Sequence, residues 1–274
     1  MDIRFAGNGR VELSASLLSM SARKSLAQDP KTSPDVLDEL IRNVDRDEEE
    51  IVKAIAENPR ASEDTLIFII DANAFPVSAG KDNVAKNPSL SKKVSNLLIS
   101  KNIGLDNLVD NSCVQAVELE AIFEKIQKWV GHRDEIYSIH LAFARTAKTP
   151  EKILNNLFIQ YGIGSDSEED KERVRYIRSL LARNPISPVA RLMDLAEWAT
   201  DLATILNLAL NESATGAILD MLHRCHIDNE ALAAVLLLNL NTPEETAEAI
   251  GQRWSGTAGF DARMTLYRQQ HSSS

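Results

Sequence analysis

The apolar positions of the chain fall in short stripes that restart at regular corners. After Pro30, aliphatic side chains stand seven, ten and eleven residues on, at Leu37, Leu40 and Ile41. After Pro59 the same places hold Leu66, Ile69 and Ile70, and after Pro185 they hold Leu192, Leu195 and Ala196. This spacing lays a single stripe along an α-helix. The prolines themselves close a second pattern: an aliphatic residue, Ala, any residue, Asn or Asp, then Pro. It reads Leu26-Ala27-Gln28-Asp29-Pro30, Ile55-Ala56-Glu57-Asn58-Pro59, Val84-Ala85-Lys86-Asn87-Pro88 and Leu181-Ala182-Arg183-Asn184-Pro185. The first three prolines lie 29 residues apart, twice running. Nothing in the chain reads as a sustained alternating strand.

Weaker copies follow the same plan. Leu208-Ala209-Leu210-Asn211-Glu212 leads to Thr215, Leu219 and Leu222, and Ala144-Arg145-Thr146-Ala147 leads to Thr149-Pro150, Leu154, Leu157 and Phe158. Asn239-Leu240 precedes Thr242-Pro243-Glu244-Glu245, and Leu108-Val109-Asp110-Asn111-Ser112 is the most degenerate copy. About eight units fit between Ser21 and Trp254. Each predicts helix, corner, helix. Asn or Asp is expected to close the first helix, tolerating left-handed backbone, and proline prevents its continuation. Ser33, Ser62, Ser91 and Ser187 are expected to cap the second helix. In Ser33-Pro34-Asp35, Thr149-Pro150-Glu151 and Thr242-Pro243-Glu244, proline and a carboxylate favour a helix start. A 27–29-residue unit is expected to leave only a short first helix, two turns or a 3₁₀ segment. Unequal helices would stack as a curved superhelix.

The L-A-x-D/N-P-x-x-S/T pattern resembles the leucine-rich repeat variant family, and its layout is similar to armadillo and HEAT arrays. The resemblance spans most of residues 21–250. It implies an all-α fold, a right-handed α/α superhelix (solenoid) of about eight short two-helix repeats. Some members of that family carry an iron–sulfur cluster on an N-terminal cysteine-rich segment. Here the N-terminus has no cysteine, and two thiols in all do not make the four ligands required. No cofactor is expected.

Residues 1–20 are expected to form a cap or tail, and 255–274 a C-terminal cap or disordered tail. Phe260, Met264 and Leu266 are the residues placed to fold back over the last repeat. Hydrophobic residues make up 44% of the chain and aromatics only 5%, so aliphatics must build the core. Cys113 and Cys225 make no disulfide framework and suit a reducing compartment. Met1–Met20 holds no cationic segment followed by an apolar run. The longest apolar stretches, such as Ala231–Leu238, fall well short of the ~20 residues a membrane helix needs. A cytoplasmic location is expected, with no membrane partner.

Candidate chemistry is sparse. His223-Arg224-Cys225-His226, with Asp228 near by, has one-turn histidine spacing but no matching distant pair, and His223 falls on a core position. It reads as structural, so no metal site and no catalytic residue are assigned. No nucleophile elbow, phosphate-cradling glycine loop or zinc-protease motif is present. Arg173, Arg175 and Arg178 follow an acidic insertion at Gly162–Asp170; they are candidates to grip an acidic partner or nucleic acid, but are expected first to pair with Glu168, Glu169 and Glu172. Eight and nine residues after the corner proline most units are polar, as in Asp38-Glu39 and Asn155-Asn156, but the second unit has Ile67-Phe68. A helix apolar on every side must be covered. Either the Asp71–Gly80 loop or another chain does this. Leu97, Met193 and Met221 would extend such a patch.

These features favour a non-catalytic interaction scaffold with a protein partner, a second copy of the chain being one candidate. The alternative is a nucleic-acid binder similar in layout to helical-repeat DNA glycosylases. The net charge of −10 and the few aromatics argue against it, since phosphate binding rests on Lys and Arg.

Overall fold

The computed structural model describes residues 4–5, 11–12, 18–45, 48–71, 80–162, 171–257 and 259–271. Most of the Asp71–Gly80 loop and of the acidic insertion after Gly162 lies outside the described residues, as do Glu168 and Glu169. β1 (Arg4–Phe5) pairs antiparallel with β2 (Val11–Glu12), Arg4 facing Glu12. The other described elements are helices, and they come in pairs. These are α1 (Met20–Gln28) with α2 (Pro34–Arg42), α3 (Glu49–Glu57) with α4 (Glu63–Asp71), and α5 (Asp82–Val84) with α6 (Lys92–Lys101). Then come α7 (Leu105–Asp110) with α8 (Ala116–Ile126), α9 (Arg133–Arg145) with α10 (Glu151–Tyr161), and α11 (Lys171–Arg183) with α12 (Val189–Trp198). The last pairs are α13 (Leu202–Leu210) with α14 (Gly216–Cys225) and α15 (Glu230–Leu236) with α16 (Glu244–Arg253), followed by α17 (Phe260–His271). The fold is all-α in its bulk, with eight helix pairs among the described residues.

The chain divides into two compact units between Gly131 and His132. In the first, α1 packs on α3 and α3 on α5, while α2 packs on α4, α4 on α6 and α6 on α8. In the second, α9 packs on α11, α11 on α13 and α13 on α15, and α12 packs on α14. Within each unit, therefore, first helices lie on first helices and second helices on second helices. The stripe residues supply the core: Leu37, Leu40, Leu66, Ile69, Leu192 and Leu219 are each almost wholly buried.

The first helices α5, α7 and α15 are as short as the repeat length suggests, at three, six and seven residues, but the others are longer. α1 and α3 are nine-residue α-helices, matching α2 and α4, and α11 is longer than α12. Room for them comes from a corner of only five residues, 29–33 in the first unit. The corner asparagines are also not left-handed. Asn58, Asn111 and Asn211 have φ near −70° and ψ near 120°, an extended geometry. Proline excludes helical angles in the residue before it and so favours this turn at Asn58. Asn111 and Asn211 hold the same geometry before Ser112 and Glu212, so proline reinforces the corner without being required for it.

The reason for asparagine is a hydrogen-bond ladder between units. Asn58 donates from Nδ2 to the carbonyls of Ala27 (2.8 Å) and Asp29 (2.9 Å) of the preceding corner, while its Oδ1 accepts from the Arg60 N–H. Asn87 repeats this on Ala56 and Asn58, and Asn111 on Ala85 and Asn87. In the second unit Asn184 holds Ala144 and Thr146, Asn211 holds Ala182 and Asn184, and Asn239 holds Ala209 and Asn211. Each carboxamide thus satisfies two carbonyls left open at a helix end. A small Ala two residues before Asn58, Asn87, Asn184 and Asn211 lets the corners approach, while Asn111 and Asn239 have Val109 and Leu237 there.

The hydroxyls divide into two roles. Ser62 and Ser91 cap their helices, accepting from the N–H of Thr65 and Val94. Ser187 does not cap; its hydroxyl donates backwards to the Leu181 carbonyl at 2.7 Å. Thr32, Thr149 and Thr242 do the same to Leu26, Phe143 and Leu236. Ser33 makes no side-chain cap bond. These backward bonds tie off the end of the first helix, leaving proline to start the second.

α17 packs on α16 as a cap. Phe260 and Met264 are buried as expected, but Leu266 is 51% exposed and Tyr267 takes the inner place. Residues 260, 264 and 267 share one helix face, and 266 turns off it. The Tyr267 hydroxyl donates to the Thr242 carbonyl at 2.7 Å. Tyr267→Phe removes only that bond and is expected to cost about 1–2 kcal/mol, read from the urea midpoint. An unchanged midpoint would show that the cap docks by apolar contact alone.

Candidate interaction surface

The outward columns of the second helices carry the candidate partner residues, and the structure separates them into two kinds. Eight residues after the corner proline position, polar side chains reach the next unit. Asp38 accepts from the Thr65 hydroxyl at 3.1 Å, Asn155 from Arg191 Nε at 3.3 Å, and Asp220 from the Thr246 hydroxyl at 2.9 Å. Ile67 and Met193 occupy this column, and the residues matching Thr65 in their next units are Val94 and Ile218, both buried. An apolar pair replaces a hydrogen-bonded one, along the α4–α6 and α12–α14 contacts. Ile67 and Met193 are accordingly half-buried.

One column further out stand Phe68, Leu97 and Met221. Phe68 is 45% exposed, while Leu97 and Met221 are half-buried. Phe68 and Leu97 belong to the first compact unit; Met193, Met221 and the three arginines belong to the second. The remaining face of α4 is buried through Thr65, Leu66, Ile69 and Ile70.

The arginines are engaged within the second unit. Arg173 pairs with Asp134 at 2.7 Å and lies over the Tyr137 ring. Arg175 pairs with Glu172 at 3.2 Å, the one expected partner among the described residues. Arg178 donates to the carbonyls of Tyr161 and Gly162, at 2.6 and 2.5 Å, and so closes the C-terminus of α10. Carbonyls at a helix end are natural partners for a guanidinium. Three residues that look alike in sequence therefore have three different roles.

The histidines are structural in their surroundings. His223 is buried on α14, and burial lowers its pKa, with Asp220 opposing and Arg253 reinforcing that shift. Cys225 is exposed, and Asp228 pairs with Arg253. Among the described residues no three His, Cys, Asp or Glu side chains come together as a metal site. His140 on α9 is 1% exposed, with Nδ1 2.7 Å from the Tyr161 hydroxyl, and burial lowers its pKa to about 4.

Sequence reading passed over a different column. The residue before the corner Asn, or the Asp29 or Thr146 in its place, is polar in six units: Gln28, Glu57, Lys86, Asp110, Arg145 and Arg183. In the last two it is Leu210 and Leu238, exposed by 45% and 57%. Leu240, where four of the other units put proline, is 63% exposed. The signal was available once the corners were aligned, but in the run Ala231–Leu238 it is hidden among core leucines. No helix among the described residues is long and apolar enough to cross a membrane. Comparison with protein-family models, curated proteins and solved structures finds no match to this chain.

Proposed function

We propose that the helix pairs of each unit form a stretch of α-solenoid similar to leucine-rich repeat variant, armadillo and HEAT arrays, and that the chain is a non-catalytic scaffold binding a protein partner. Stacking of like helices on like helices and the asparagine ladder support the architecture. The observation that carries the functional reading is Phe68. It stands 45% exposed in a column that holds Glu39 and Asn156 in two units and the half-buried Leu97 and Met221 in two others, on a helix whose inner face is already filled. Repeat arrays use such outward columns to meet partners.

The test is affinity capture of a partner from the native host, followed by hydroxyl-radical footprinting of the complex. A stoichiometric protein complex protecting the second-helix surface is the expected result. Phe68→Glu should weaken capture while leaving the thermal midpoint near that of the parent chain, since an exposed substitution costs about 0.5 kcal/mol. Gross unfolding of that variant would reject an interface at Phe68. Salt-dependent duplex DNA binding with no protein complex would overturn the scaffold reading.

A further inference from the structure

We infer that the corners of the last two repeats form a docking site for a peptide segment of a partner protein, one carrying aliphatic anchors beside a lysine or arginine. This rests on the scaffold reading and gives it a place and a chemistry. The site is a cavity of about 350 Å³, lined by Leu210, Leu238 and Leu240 together with Glu212, Asn239 and Asn241.

Three observations bear on it. The first is that the fold does not need leucine there. Six units of the same architecture place polar residues before the corner residue, and the four of them that carry Asn make the same ladder bonds. Leu210 and Leu238 therefore expose apolar surface with no structural return, which in a water-soluble repeat marks a contact surface. Ile186, two residues past Asn184 on the preceding corner, is a further exposed aliphatic, 48% accessible.

The second is rigidity. Asn239 holds the carbonyls of Ala209 and Asn211, and Asn241 holds those of Glu212 and Ala214, at 2.8 and 3.0 Å. Both corners are thus tied at two points. The cap secures the outer side, where His271 Nε2 lies 2.8 Å from the Leu240 carbonyl oxygen and Tyr267 holds that of Thr242. A preformed cavity loses little entropy on binding.

The third is charge. Glu212 is the single charged residue in the cavity lining, and it is exposed. The C-termini of α13 and α15, the negative ends of those helices, also point to these corners. A cation placed beside the anchors is favoured, and a carboxylate is repelled. The net charge of −10 disfavours a second copy of the chain and an anionic lipid surface alike.

The experiment uses the full chain and three labelled twelve-residue peptides. Each carries two leucines four residues apart, flanked by Lys, Ser or Glu, and binding is read by fluorescence anisotropy at low and physiological salt. The Lys-flanked peptide should bind best and the Glu-flanked one least. Changing Leu210, Leu238 and Leu240 together to Gln should weaken the Lys-flanked peptide about tenfold or more. The thermal midpoint should hold within about 2 °C, as the column tolerates polar residues. Glu212→Lys should reverse the order, so that the Glu-flanked peptide binds best. That reversal needs no loss of leucine and cannot arise from unfolding.

Equal binding of all three peptides, no binding of any, or undiminished binding to the triple variant would each overturn the proposal. So would loss of self-association in the triple variant by sedimentation, or its loss of binding to phosphatidylserine vesicles, because the occupant would then be a second copy or a membrane. A captured host protein that still binds the triple variant would refute this site and leave the scaffold reading standing. Absence of any host protein complex refutes the scaffold reading itself.

Discussion

Asn87→Asp is expected to destabilise the chain by about 4 kcal/mol or more, and to do so more severely than Asn87→Ala. Asn87 is fully buried, and its Nδ2 donates to the carbonyls of Ala56 at 2.7 Å and Asn58 at 2.9 Å. Its Oδ1 accepts the Ser89 N–H at 2.8 Å. Alanine removes all three bonds and leaves two carbonyls open, each costing about 1–3 kcal/mol when no water reaches it. Aspartate keeps the acceptor and the shape but turns both donors into repulsion, with a carboxylate held against two carbonyl oxygens. The order of the two variants is thus the informative result, read from urea midpoints at pH 7. Lowering the pH should partly rescue Asn87→Asp, because a protonated carboxyl regains one donor. Asp29 supplies the control. It accepts from the Lys31 N–H, and its own carbonyl accepts from Asn58. No described unit precedes Asp29 for a carboxamide there to hold. Asp29→Asn should therefore shift stability by no more than about 0.5 kcal/mol. If Asn87→Asp proves as stable as the parent, the ladder is not what keeps the repeats in register.

Much of this fold was legible because its period is short and its punctuation chemical. Aliphatics seven, ten and eleven residues past the corner proline are the buried ones, and the count of about eight units from the sequence agrees with eight helix pairs among the described residues. Even the most degenerate copy, at Asn111, makes the full clamp on Ala85 and Asn87. What the sequence hid were partners one period away. Asparagine after a helix reads as a local stop, and a local explanation sufficed for it. The clue was that these stops are so often Asn, where glycine would serve a left-handed corner better. Thr146 marks the exception. It stands in the Asn place of the first pair after the division at Gly131, and a hydroxyl has one proton to donate where a carboxamide has two. The first helices α5, α7 and α15 are as short as expected, and the longer ones were underestimated for a related reason, since the tightness of the corner is visible only with its dihedrals.

The candidate surface was less legible. Which of several leucines faces outward depends on register within half a turn, and register is fixed by the ladder. Ile67 and Met193 looked like surface because their column is polar elsewhere. The polar residues there prove to be bonded across units, as Asp38 is to Thr65. Phe68, one residue on, kept its exposure. Surface function in a repeat protein is therefore best sought as a departure from a column after the column's own structural duty is known.

His140 gives the second large effect, a pH dependence confined to a narrow window. Its ring is 1% exposed, with Nδ1 2.7 Å from the Tyr161 hydroxyl and the two rings edge to face at 5.5 Å. Burial lowers its pKa to about 4, so the folded chain keeps the ring neutral. In the unfolded chain it takes up a proton near pH 6.5. Between those values only the unfolded state binds that proton, so stability is complete above pH 6.5 and falls as the pH drops towards 4. The full loss is about 3 kcal/mol, because each tenfold drop in proton affinity on folding is worth about 1.4 kcal/mol. Acid groups titrate in the same range, and His223 is shifted in the same direction. The test is therefore a difference: urea midpoints of the parent and of His140→Gln at pH 7.5, 5.5 and 4.5. Glutamine can keep a bond to Tyr161 but takes no proton, so the variant should lose less stability on acidification, and the gap between the two should close or reverse by pH 4.5. Tyr161 also carries the strain of such a loss, because its carbonyl accepts from Arg178 of α11. Protonating His140 would thus disturb α9, α10 and α11 together, and their amides should exchange as one group below pH 5. A gap that stays constant with pH would mean that the buried ring is protonated as readily in the folded chain as in the unfolded one.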